Sequence, residues 1–112
     1  MKFPSKIQFA DENIQKNFEK LKTSRDHERK KIFEWLMRAF EDIEENAFCG
    51  IQIPKKCIPR EYILKQKITN LWKYNLPNSW RLLYSIQHGE VIVLAIILEW
   101  LDHKNYERRF NY

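Results

Sequence analysis

The chain has 112 residues, with 20 Lys and Arg against 15 Asp and Glu, for a formal charge of +5. That length fits one domain, expected over residues 1–112, whose core closes without a disulfide or metal; 44% apolar and 14% aromatic residues exclude a disordered chain despite 31% charged residues. The longest apolar run, Val91 to Leu98, spans eight residues, far short of the roughly 20 that cross a bilayer, so no membrane partner is expected.

Excess positive charge attracts polyanions, which makes a nucleic acid or an acidic protein a plausible partner, although many proteins of this size are as basic and bind neither. Cys49 and Cys57 stand at neither a redox nor a zinc spacing and read as reduced thiols. Met1-Lys2-Phe3-Pro4-Ser5 lacks the pattern of a signal peptide. A cytoplasmic protein is the expectation.

Lys6-Ile7-Gln8-Phe9 alternates as a first strand does, and Asp11 is a suitable cap for a helix whose stripe is Ile14, Phe18 and Leu21. Past Thr23-Ser24, a second helix carries Ile32, Trp35, Leu36, Ala39, Phe40 and Ile43 on one face. Gly50 is expected to end that region in a left-handed conformation. Residues 51–67 hold Pro54, Pro59 and several cations, and read as a connection with at most a short helix over Arg60 to Gln66.

From Thr69 onward the period becomes two. Trp72, Tyr74 and Leu76, then Trp80, Leu82 and Tyr84, flank Pro77-Asn78-Ser79. A three-residue turn there pairs Leu76 with Trp80 and Asn75 with Arg81, sends the aromatic set toward the helices, and leaves Lys73, Asn75, Arg81 and Leu83 on the other face. His88-Gly89-Glu90 is the next turn, Val91 to Leu98 reads as a central strand apolar on both faces, and a polar tail follows. The expected order is β-α-α-β-β-β, an α+β fold with its helices on one face of the sheet.

There is no Gly-rich phosphate loop, HExxH or GxSxG, so nucleotide hydrolysis, zinc proteolysis and esterase chemistry have no motif. What remains is a basic sheet face beside a tail holding His103 and Tyr106. Cleavage of RNA by its own 2′-hydroxyl needs a base, an acid and positive charge at the phosphate, and no metal or cofactor. Arg81 suits the phosphate through its fork of donors; Lys73 adds charge; His103 and Tyr106 can exchange protons, being three residues apart on one side of a helical turn. The plain alternatives are a solvated strand arginine, a surface histidine, and a Tyr106 that pins the tail to the core. His27 and His88 read as exposed or structural.

Trp80-Arg81-Leu82-Leu83-Tyr84-Ser85-Ile86, the following strand, and Asp102-His103-Lys104-Asn105-Tyr106-Glu107 together resemble the C-terminal half of the RelE/ParE toxin superfamily, and the tail is similar to the ending of its HigB branch. The resemblance covers roughly residues 70 to 110. It implies two N-terminal helices on a small, mainly antiparallel curved sheet, and the toxin of a type II toxin–antitoxin system: a ribosome-dependent mRNA endoribonuclease that inhibits translation. Its implied partners are a cognate antitoxin, in a possible toxin–antitoxin heterotetramer, together with the ribosome and mRNA. Residue by residue, it implies Arg81, His103 and Tyr106 as catalytic and Lys73 as the phosphate-side lysine. Asn75 stands where many members have a second lysine. Lys55, Lys56, Lys65, Lys67, Arg108 and Arg109 complete the expected RNA-binding set. A ParE-like gyrase inhibitor or a non-catalytic binding protein of the same fold is the alternative.

Overall fold

In the computed structural model, which describes residues 2–89 and 91–111, strand β1 (Lys6–Phe9) leads into helices α1 (Glu12–Thr23) and α2 (His27–Glu45). Asp11 accepts the backbone N–H of Ile14 at 3.0 Å, and Asp26 accepts that of Arg29 at 3.0 Å. Both caps satisfy amides that a helix start leaves without a partner. The stripe expected on α2 is the buried one, with Leu36, Ala39 and Ile43 fully enclosed, although Trp35 is only partly covered.

The chain continues through β2 (Ile51–Ile53), α3 (Arg60–Gln66), β3 (Leu71–Asn75), β4 (Arg81–His88), β5 (Val93–Leu101) and α4 (His103–Phe110). The five strands form one sheet in the order β1-β5-β4-β3-β2, antiparallel except where β1 runs parallel to β5. The fold is therefore α+β with a mixed sheet. Among the described residues no helix is long and apolar enough to cross a membrane.

The Pro77-Asn78-Ser79 turn pairs Asn75 with Arg81, and Leu76 donates its N–H to the Trp80 carbonyl at 2.9 Å. This register sends Trp72, Tyr74, Leu82 and Tyr84 toward α1 and α2, where they join Phe18, Leu36, Phe40 and Ile43. Truncating a fully enclosed member such as Leu82 to alanine removes about 2–5 kcal/mol.

Four expectations are corrected. The sheet is covered on both faces, because α3 and α4 close a second core of Ile53, Ile58, Tyr62, Leu71, Leu83, Leu98, Tyr106 and Phe110. The connection over residues 51–67 holds a strand as well as a helix, so the order gains β2, α3 and α4. The last strand starts at Val93, not Val91, whose side chain is 92% exposed; Glu90 of the expected turn lies outside the described residues. Gly50 is extended (φ −79°, ψ −165°), not left-handed. Its need is for space: a Cβ there would lie 2.6 Å from the Lys73 carbonyl oxygen and 2.7 Å from the Tyr84 hydroxyl. That hydroxyl donates to the Ala47 carbonyl at 2.8 Å and accepts from the Gly50 N–H at 3.1 Å, tying the end of α2 to the sheet.

A β-bulge interrupts β4 and β5, since Leu83 lies opposite Glu99 while Tyr84 lies opposite Ile97. Leu98 is the extra residue. An extra residue shifts the alternation, which lets Leu98 enter the second core while Glu99 reaches Tyr62 and Arg109 on the same face.

Candidate phosphate-binding site

The turn register fixes the site. Asn75 lies directly across from Arg81 and Lys73 across from Leu83, so Lys73 and Arg81 are diagonal neighbours on the α3/α4 face, within reach of a common side chain. That side chain is Tyr106. The Lys73 ammonium lies 5.5 Å and the Arg81 guanidinium carbon 5.4 Å from its ring centroid, and Lys73 Nζ donates to the Tyr106 hydroxyl at 3.5 Å. Each cation–ring contact is worth about 0.5–1 kcal/mol.

Tyr106 reaches this place because Asp102 caps α4, accepting the Asn105 N–H at 2.9 Å. It is 3% exposed and packs on Phe110, with centroids 4.5 Å apart.

Two like charges drawn to one ring repel each other, and among the described residues no carboxylate lies within ion-pair distance of either. Arg81 Nη1 donates to the Trp80 carbonyl at 3.2 Å, while its buried Nε finds no acceptor among the described residues. Such an arrangement favours an anion that brings its own oxygen atoms. Metal-ligand chemistry has no comparable cluster: among the described residues no three His, Cys, Asp or Glu side chains converge. Comparison with family models, curated proteins and solved structures finds no match to the chain.

His103 begins α4 two residues after Leu101, the β5 partner of Arg81, so it borders the same end of the sheet. Its imidazole is exposed where Tyr106 is buried, and its Nε2 pairs with Glu107 one turn on. Asn75 is exposed beside Arg81.

The remaining expected cations lie elsewhere. Arg109 is held inward by Glu61 and by Glu99 at 3.3 Å, over the Tyr62 ring at 5.7 Å. Tyr62 donates to Glu99, and burial, followed by the Glu99 charge, raises its phenol well above the usual range. Lys56 borders a shallow depression with Arg60 and Arg109 near the end of α4; Lys55 and Arg108 are exposed. Lys65 and Lys67 line a cleft with Gln8 and Ser85. The sequence reading missed the acids that neutralise Arg109. It also missed Glu107 as the partner of His103, although the i, i+4 spacing on a helix was a legible sign.

Proposed function

We propose that this chain is a RelE-like toxin that cleaves mRNA on the ribosome by attack of a 2′-hydroxyl on the adjacent phosphate. The observation that carries the reading is the convergence of Lys73 and Arg81 on Tyr106, with no neutralising acid among the described residues. The order of a strand, two helices and then antiparallel strands supports it at the level of fold.

In the reaction, the 2′-oxygen bonds to phosphorus and the bond to the 5′-oxygen breaks. Negative charge grows on the non-bridging oxygens, where Arg81 and Lys73 stabilise it. Tyr106 holds the two cations in register and keeps its hydroxyl at Lys73. His103, beside Glu107, takes the 2′-hydroxyl proton as a neutral imidazole, and solvent water protonates the departing 5′-oxygen. A cognate antitoxin is the implied protein partner, in a heterotetramer with the toxin.

The test is induced expression in a bacterial host, with primer extension on a reporter mRNA for the wild type and for folded Arg81→Gln and Lys73→Gln variants. Codon-phased cuts that vanish in both variants are expected. Growth arrest with intact mRNA would point instead to a gyrase-type target, and neither arrest nor cleavage would sink the toxin reading.

A further inference from the structure

A cleft of about 610 Å³ lies on the same sheet face as Arg81, toward the other end of β4. Its floor is a row across three strands, Gln8 on β1, Ile96 on β5 and Ser85 on β4, and its wall is the end of α3 with Lys65, Gln66 and Lys67. Ser85 is four residues from Arg81, roughly 13 Å along the strand. This is a separate place from the phosphate site.

Three features suit it to a ligand. Its volume falls in the range of small-molecule sites, about 300–1,000 Å³. Gln66 lines the cleft, and its Oε1 atom is buried with no donor among the described residues, so a ligand N–H that draws this side chain outward gains a hydrogen bond that the empty cleft does not supply. Lys67 ends α3 in the left-handed conformation (φ 54°, ψ 39°), a position that glycine or asparagine usually fills, and it sets a positive charge on the lip of the cleft beside Lys65.

Two other lining side chains are already engaged, those of Asn70 and Asp11. Both ends of the Asn70 amide bond the Ile86 backbone at 2.8 Å, completing the strand edge. Asp11, the lining carboxylate, caps α1. The groups left over are the Gln8, Gln66 and Gln87 amides, the Thr69 hydroxyl, the His88 imidazole and the Lys65 and Lys67 cations, above an isoleucine floor.

We propose that this cleft binds a nucleotide, with its phosphate against Lys65 and Lys67 and a base N–H donated to Gln66. The same chemistry is offered by a free mononucleotide and by one unit of an RNA strand; only the second source rests on the RNA-cleaving function.

The test is a titration of the 15N-labelled full chain, followed through backbone and side-chain amide resonances. Inorganic phosphate, each nucleoside 5′-monophosphate and a short 2′-O-methyl oligonucleotide are added separately to the wild type, Gln66→Leu, Lys67→Gly and Arg81→Gln. Lys67→Gly suits the left-handed cap and stays folded, so it isolates the charge. Shifts of the Gln66 side-chain amide and the Lys67 backbone are expected with nucleotide and not with phosphate alone. Lys67→Gly weakens that binding about tenfold.

Response to a mononucleotide, kept in Arg81→Gln, identifies a free-nucleotide site; response only to the oligonucleotide identifies a subsite for RNA. The proposal falls if no nucleotide moves those resonances, if phosphate alone reproduces the pattern, or if Gln66→Leu and Lys67→Gly both bind as the wild type does. Cleft binding without RNA cleavage would remove the nuclease and leave the nucleotide site standing.

Discussion

Arg81 and Arg109 lie on the same side of the sheet, each about as far from an aromatic ring, at 5.4 Å from Tyr106 and 5.7 Å from Tyr62. Their neighbours differ. Arg109 meets Glu61 and Glu99, with Tyr62 donating to the same Glu99, so its charge is consumed in joining α4 to α3 and the sheet. Arg81 meets a second cation, Lys73, across Tyr106. Residue type alone therefore does not separate an arginine held by two carboxylates from one whose nearest charged neighbour is another cation; the local balance of charge does.

The largest effect expected from breaking this contrast is on the uncompensated side. For the proposed reaction, Arg81→Ala lowers RNA cleavage by at least about 100-fold, or about 2.7 kcal/mol of transition-state stabilisation, and lowers the melting temperature by no more than a few degrees, the worth of its contact with the Tyr106 ring. Single-turnover cleavage and a thermal melt on the same sample check both halves.

Arg109→Ala does the reverse. It leaves Glu99 beside the second core without its cation and costs about 1–2 kcal/mol of stability, discounted for partial exposure, while cleavage per folded molecule is unchanged. Urea unfolding with a constant m-value measures it.

The Arg109 region also carries alkaline sensitivity. Burial raises the folded pKa of Tyr62 above its unfolded value near 10, and Glu99 adds to the shift. The native state keeps a proton that the unfolded chain releases, so stability is fully present below pH ~10 and falls as pH rises beyond it. Tyr74 behaves alike, pushed up to about 12 by burial and by its hydrogen bond to Asp42. Melting temperatures of the wild type and Tyr62→Phe between pH 8 and 11 should diverge only above pH ~10, with the variant falling less.

The smallest effect sharpens the role of Tyr106. Tyr106→Phe keeps the ring under both cations and loses the 3.5 Å contact with Lys73, so affinity for an uncleavable RNA drops no more than about threefold, whereas Tyr106→Leu loses most of it.

Much of the Arg81 side was legible in the sequence. Alternation from Trp72 to Tyr84 and the short Pro77–Ser79 turn place Lys73, Asn75 and Arg81 on one face, and the stripe from Ile32 to Ile43 names the first core. The Arg109 side was hidden. Its neutralising Glu61 is 48 residues away, a separation that no local pattern reports.

Helix α4 places only Tyr106 and Phe110 as large apolar groups among polar ones, so its cover of the second face looks like a solvated tail. The uninterrupted apolar run through Ile92 to Leu98 has no period in which a bulge could show. Three-residue β2 follows a helix end too closely to register as a strand. The structure adds the second face of the sheet, and with it the ring on which the two cations meet.

The central claim is that Lys73 and Arg81 form the phosphate site and Arg109 does not. Binding of an uncleavable 2′-O-methyl RNA, measured against salt concentration for the wild type, Lys73→Gln, Arg81→Gln and Arg109→Gln, tests it most directly. The account predicts that Lys73→Gln and Arg81→Gln each flatten the slope of log affinity on log salt by about 0.7, the value for one lost contact to single-stranded nucleic acid, while folded Arg109→Gln keeps the wild-type slope. Equal slopes for all four proteins, or a loss confined to Arg109→Gln, would contradict it.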